Sequence, residues 1–295
     1  MSKIHKALEK AQKEREMDSS KDFRPRSLFE EMEIERREIL PDSSNLVEMV
    51  CDPRMVCTSQ YASLAAEQFR KLRTFILQAK TSRPPRTIMV TSATGDEGKT
   101  LVAVNLAAGI SYDLHSYALL VECDFRDPGL AHWFGGANPK GLSDYLAGDG
   151  EISNLLMKTA AEKLRVLPGG GVRENPAELI GSKKMEALIE ELKSRYADRY
   201  VIFDSPPLLV ATEAEILSKW VDGVIIVVRA GMTPREVVRQ AISPLEKEKI
   251  LGFVLNDLKF RTSGLYQRYF GSNDDYYKVN GKDRTKAEPQ RIKVF

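Results

Sequence analysis

The chain has 295 residues, a length that fits one domain of ordinary size with extensions better than two large domains. Apolar residues make up 42% of it and charged residues 29%, a balance that can bury a core and excludes a wholly disordered chain. Lys plus Arg number 44 against 42 Asp plus Glu, so the net charge of +2 gives no global field that would mark nucleic acid as a partner. Cys51, Cys57 and Cys123 form no C-x-x-C pair and three histidines offer no clustered ligands, so neither a disulfide framework nor a zinc site is expected. A reducing cytosol fits this usage best.

In chain order, Ser2 is placed to cap a helix in which Ile4, Leu8 and Ala11 recur on one face, with Glu9 and Lys13 as a supporting pair. That seam is too narrow for a core, and an isolated helix of about 15 residues is marginal in water without a partner. The stretch has no apolar centre of the signal-peptide kind, and no segment of the sequence approaches the ~20 apolar residues that span a bilayer. Any membrane contact is therefore expected to be indirect. Residues 17–59 are polar, carry Pro25, Pro41 and Pro53, and read as a linker with a possible helix across 27–39. From Tyr61 to Ala79, Leu64, Phe69, Leu72 and Ile76 fall at helical spacing.

From Thr87 the texture changes to short β-rich runs alternating with helical stretches. The runs are Thr87–Thr91, Tyr117–Glu122, Leu164–Leu167, Tyr200–Asp204, Gly223–Val228 and Leu251–Asn256, with helices starting near Gly98, Ser182, Thr212 and Pro234. Near-continuous apolar strands such as VIIVV, separated by helices, indicate a mostly parallel sheet covered on both faces. The expected fold is a doubly wound α/β domain over residues 60–258. It is flanked by an N-terminal helix and linker (1–59) and a flexible tail (259–295). The tail holds nine Lys or Arg against four Asp or Glu, and carries Tyr266, Tyr269, Tyr276 and Tyr277 with no core pattern.

The segment TIMVTSATGDEGKTLVAVNLAAGI is strand, loop and helix, and its loop ends in Gly98-Lys99-Thr100. In a P-loop, backbone amides wrap the phosphates, the lysine reaches the β and γ oxygens, and the hydroxyl ligates Mg2+. The strict pattern G-x-x-x-x-G-K-[ST] is broken at Ala93, with Gly95 inside the loop instead. Phosphoryl transfer also needs acids at strand ends above the loop. Two runs supply them: YALLVECDFRDP with Glu122 and Asp124, and RYVIFDSPP with Asp204, the expected Walker-B aspartate. Arg126 is placed either to stabilise developing charge or to make a local salt bridge.

These motifs together resemble the bacterial tyrosine autokinases that control capsule and exopolysaccharide export, relatives of the MinD and ParA ATPases. The match is carried by SATGDEGKT, by LLVECDFRDP as a second Walker motif and by VIFDSPP. Glu67, Arg70 and Arg73 add an E-x-x-R-x-x-R signature upstream, and LPGGGVRENPAELIGS, DGVIIVVRAGMTPREVV and LGFVLND also look like the family. The second motif reads D-x-D in the family and begins with Glu122 here. Thr94 stands where MinD and ParA relatives place a signature lysine, which favours the kinase branch.

The resemblance implies an ATP- and Mg2+-dependent protein-tyrosine kinase that phosphorylates its own tail tyrosines in trans. It implies nucleotide binding by Gly95, Asp96, Glu97, Gly98, Lys99, Thr100 and Leu101, with Asn256 facing the adenine. Thr100, Asp124 and Asp204 would hold the metal, Lys99 and Asp204 would serve the transfer, and Asp124 or Glu122 would position or deprotonate the incoming tyrosine. Glu67, Arg70 and Arg73 would form a contact in a homo-oligomer. The implied partner is a membrane-spanning activator of the polysaccharide co-polymerase type, with the kinase cytoplasmic and recruited to the inner face of the plasma membrane. A MinD/ParA-like ATPase switch and a non-catalytic nucleotide-binding scaffold are the alternatives.

Overall fold

The computed structural model describes residues 52–59, 63–79, 84–136, 140–194 and 198–258, together with the backbone of Lys293–Val294. In chain order the elements are α1 (Val56–Ser59), α2 (Leu64–Leu77), β1 (Thr87–Ser92), α3 (Lys99–Ser111), β2 (Tyr117–Glu122) and α4 (Leu142–Ala147). Then come β3 (Met157–Lys158), β4 (Leu164–Leu167), α5 (Pro176–Ile180), α6 (Lys183–Ser194), β5 (Arg199–Asp204) and α7 (Thr212–Trp220). The last are β6 (Gly223–Arg229), α8 (Arg235–Ile242), β7 (Ile250–Asn256) and β8 (Lys293–Val294). The strands form a sheet in the order β3-β4-β2-β5-β1-β6-β7-β8, parallel throughout except for antiparallel β3 and β8 at its two edges.

The central strands are buried on both faces, as their unbroken apolar runs predict: every residue of β1 and of β5 is buried. Ile88, Val90, Ala118, Leu120 and Ile202 join a cluster around α3. That helix is apolar all round, with every residue from Leu101 to Ser111 buried, so it lies sandwiched between sheet and outer helices. Helix α2 packs over it through Ala66, Phe69, Leu72 and Ile76, and starts where the Ser63 hydroxyl accepts from the Ala66 amide at 3.1 Å. Helices α6 and α7 contact the sheet at β1.

The linker expected to run to Ser59 gives way to folded structure earlier. Met55, Val56 and Cys57 are buried against α3. The Asn105 side chain of α3 is the clamp: its Oδ1 accepts from the Cys57 amide at 3.2 Å, and its Nδ2 donates to the Arg54 carbonyl at 3.0 Å. Asp52 N–H donates to the Trp133 carbonyl at 3.1 Å, and Arg54 lies 4.2 Å over that ring. Three apolar residues in a polar stretch are too few to show a period, and the bonds that hold them come from residues far along the chain.

At the other end, β8 pairs with Val254 and Leu255 of β7, within the stretch expected as a flexible, tyrosine-bearing tail. The N-terminal helix from Ser2, the possible helix across 27–39, and Tyr266, Tyr269, Tyr276 and Tyr277 lie outside the described residues. No helix among the described residues is long and apolar enough to cross a membrane.

Candidate active site

Strand β1 delivers the chain into a loop of residues 93–98 whose shape is set by side chains folded back on it. The Ser92 hydroxyl donates to the Thr94 carbonyl at 2.6 Å. Glu97 is 1% exposed: its Oε1 accepts from the Thr94 amide and hydroxyl at 2.8 and 2.7 Å, and its Oε2 accepts from the Arg229 amide at 3.1 Å. The Glu97 side chain, expected among the nucleotide contacts, is thus a strut that ties the loop to the end of β6. Asp96 (φ 57°) and Gly98 (φ 93°) occupy the left-handed region. At Gly98 a Cβ would also fall 2.1 Å from the Asn256 Nδ2, so glycine is required twice over.

Gly98 caps α3 without any side-chain hydrogen bond, which leaves the first-turn amides and the positive end of a buried helix facing the loop. Gly95 has open space around it and Asp96 is exposed, so the loop's inner surface is accessible.

Lys99 and Thr100 open the helix, and two acids converge on them. Asp204, at the end of β5, is 2% exposed and lies close enough to Thr100 for its hydroxyl to favour the ionised carboxyl, while its Oδ1 has no partner. Burial pushes its carboxyl up to about 7, against the Thr100 hydroxyl and the Lys99 charge that favour ionisation. Asp124, just past β2, is half-buried, and its Oδ1 accepts from the Arg126 and Asp127 amides at 3.3 Å each. Burial also raises Asp124, with Lys99 as the chief opposing influence. Among the described residues no group of three or more His, Cys, Asp or Glu side chains is placed to hold a metal by itself. The donor set is instead a hydroxyl and carboxylates beside a phosphate site, which suits Mg2+ held jointly with nucleotide. An ionised Asp204 with one unpartnered buried oxygen fits that ion.

Glu122 is put to a different use from the one expected of a base. Its side chain is 3% exposed: Oε1 accepts from the Gly129 and Leu130 amides at 2.6 and 2.8 Å, and Oε2 from the Gly169 amide at 2.7 Å. Gly169 makes room for this approach, since a Cβ there would lie 3.0 Å from Glu122 Oε2 and would press on the carboxylate. Burial raises the carboxyl, opposed by these same amides. Both oxygens are committed to joining the loop after β2 to the loop after β4.

Asn256, expected to face the adenine, is 7% exposed and donates from Nδ2 to the Glu97 carbonyl at 2.9 Å, bracing the loop from behind. Arg126 forms a salt bridge, but not the local one expected: its Nε donates to Glu213 Oε1 at 2.8 Å, 87 residues further along the chain. On α2, Arg70 Nε donates to Glu67 Oε2 at 2.7 Å and Arg73 to the Gly109 carbonyl at 3.2 Å, so the expected subunit-contact residues also make bonds within the chain. A network missed in the sequence links Arg173 to Asp144 at 2.6 Å and to Ser143 Oγ at 3.2 Å, holding the Gly-rich loop after β4 against α4. The only sequence signal for it was the glycine run 169–171.

No protein-family model matches the chain. Among curated proteins it is similar to the tyrosine-protein kinase YwqD of Bacillus subtilis, 33% identical over 224 residues, which are 75% of this chain and 93% of that protein. It is 34% identical over 218 residues to the tyrosine-protein kinase wzc of Salmonella typhi, covering 73% of this chain but 30% of the longer relative. The kinase domain of the Escherichia coli tyrosine kinase ETK superposes with a TM-score of 0.66 at 31% identity, covering 71% of this chain and 82% of that one. The septum site-determining protein MinD of Pyrococcus horikoshii, solved with Mg-ADP, follows at TM-score 0.50 and 25% identity, over 60% of this chain and 72% of that one. With this P-loop, these strand-end acids and this degree of identity along nearly the whole of YwqD, the chain belongs to the bacterial tyrosine-protein kinases.

Proposed function

We propose that the chain transfers the γ-phosphoryl group of ATP, with Mg2+, to Tyr266, Tyr269, Tyr276 and Tyr277 on a second copy of itself. The observation that carries this reading is the convergence of Lys99, Thr100, Asp124 and Asp204 around an open loop, with one Asp204 oxygen buried and unpartnered. Lys99 and the loop amides hold the β and γ phosphates, and Thr100 and Asp204 serve as metal ligands. Bound Mg2+ supplies charge neutralisation across the phosphate oxygens. The tyrosine oxygen forms the new bond to the γ phosphorus as the bond to the ADP oxygen breaks, and the phenolic proton passes to Asp124. A free phenol has a pKa near 10, so at neutral pH a carboxylate acceptor is useful. Glu122 acts through the two loops it joins, as a positioning residue.

The reading includes a homo-oligomer in which α2 contributes Glu67, Arg70 and Arg73. It also includes a membrane-spanning activator of the polysaccharide co-polymerase type that recruits the kinase to the inner face of the plasma membrane. Incubating the full chain with Mg-ATP and a candidate activator segment, then mapping phosphate by mass spectrometry, tests it against Lys99→Met. Tail phosphotyrosine in the parent and none in the variant is the expected result. ATP turnover without phosphotyrosine would point to a MinD-like switch, and nucleotide binding with neither would point to a scaffold.

A further inference from the structure

On the sheet face opposite α3, a groove of about 550 Å3 runs between α8 and the β7 edge. Phe253 and Leu255, on one face of β7, form its floor, Val238 and Ile242 of α8 form one wall, and Arg235 and Arg239 stand along its rim. It is incompletely filled by its own elements: Phe253, Leu255, Val238 and Ile242 all remain half-exposed, and Ala241 is the one buried residue of α8. Arg235 and Arg239 lie one turn apart on an exposed face, a like-charge spacing that costs a helix a few tenths of a kcal/mol. No carboxylate among the described residues forms a salt bridge with either. The groove therefore combines an open apolar floor with two arginines that lack a described counter-charge.

The chain itself supplies a matching occupant. It leaves the described body at Leu258, just past β7, and returns at Lys293–Val294, which pair with Leu255 and Val254, the strand segment that floors the groove. Residues 259–292 thus begin and end beside it, with length to spare for crossing it. Within them Asp274-Asp275-Tyr276-Tyr277 is the one place where paired acids adjoin paired aromatics. Tethering at both ends gives such a segment a millimolar effective concentration, which favours it over a second copy at ordinary protein levels.

We propose that Asp274-Asp275-Tyr276-Tyr277 docks in this groove of its own chain, with the tyrosine rings on Phe253 and Leu255 and the two acids facing Arg235 and Arg239. Docking in cis withdraws two tyrosines from a neighbour's active site, so the groove holds part of the substrate in reserve. That consequence rests on the kinase reading, but the docking does not, and its test contains no nucleotide.

Hydrogen exchange on the full chain, followed at two protein concentrations, reads the contact directly. Peptides across 229–242 and 272–278 should exchange about ten-fold more slowly in the parent than in Arg235→Glu/Arg239→Glu, which corresponds to about 1.4 kcal/mol. Asp274→Arg/Asp275→Arg should release both regions equally, and combining the two pairs should restore protection, which also shows that the variants fold. Equal exchange in the parent and the charge-reversed forms overturns the proposal. So does protection that rises with protein concentration, which would assign the groove to a second copy, or protection that appears only when an activator segment is added.

Discussion

A carboxylate held by three backbone amides, as Glu122 is, has most of its acceptor capacity committed to the fold. Glu122→Gln keeps the volume but turns an amide donor towards N–H donors, and should cost about 2 kcal/mol of stability, read by denaturant unfolding. Glu122→Asp draws the carboxylate back by about 1.5 Å and should lose part of the same amount. A positioning role also predicts that the surviving activity of Glu122→Gln keeps the parent's pH profile. Asp124→Asn should instead lower the rate by ~100-fold or more and remove the limb that reports the base. Asp204 makes a separate prediction in protein free of metal and nucleotide. Its carboxyl titrates at about 7 when folded and at its ordinary 3.8 when unfolded, so the folded state binds the extra proton between those values. The stability it contributes is complete below 3.8 and is lost as the pH rises through about 7. Unfolding free energies measured across that range should fall in the parent and flatten in Asp204→Asn. The hydrogen bonds that Glu97, Glu122 and Asn256 make within the chain were not legible, because a sequence reveals that an acid or amide sits near a strand end while its partners lie up to 159 residues away.

The elements legible in the sequence were those whose signal is local. Strands β2 and β4 stand at the expected boundaries and β1, β5, β6 and β7 within one residue at an end, because continuous apolar runs between turn residues specify doubly covered strands. The P-loop was legible for the same reason, as a short pattern between a strand and a helix. Helix α1 and strands β3 and β8 were not, since their residues form no apolar run bounded by turn signals and exist as elements through what they pair with. For α1 that partner is Asn105. Asn105→Ala should leave the Cys57 amide and the Arg54 carbonyl without their buried partner and cost about 2–3 kcal/mol. The loss should appear as faster hydrogen exchange confined to residues 52–59, with α6 and α7 unchanged.

At the scale of the whole chain, the boundary of the folded body becomes a measurable quantity. A truncation that begins at Asp52 keeps the Trp133 contacts and the buried Met55, Val56 and Cys57, and should melt as the full chain does. One that begins at Gln60, the end of the expected linker, exposes the surface of α3 beneath them and should lose several kcal/mol by the usual cost of emptied core positions. Thermal melting of the two fragments decides between the boundaries. The strand order has a further consequence, for the order of events during synthesis. Strand β1, which carries the P-loop, has as neighbours β5 and β6, made more than a hundred residues later. Until Arg229 has left the ribosome, the loop lacks the completed β6 at its flank and the amide that Glu97 grips, and α3 has no completed sheet to cover it. A nascent chain therefore carries its most apolar helix without a completed sheet for more than a hundred residues of synthesis, the stage at which exposed apolar surface invites aggregation, and gains its catalytic frame only after that.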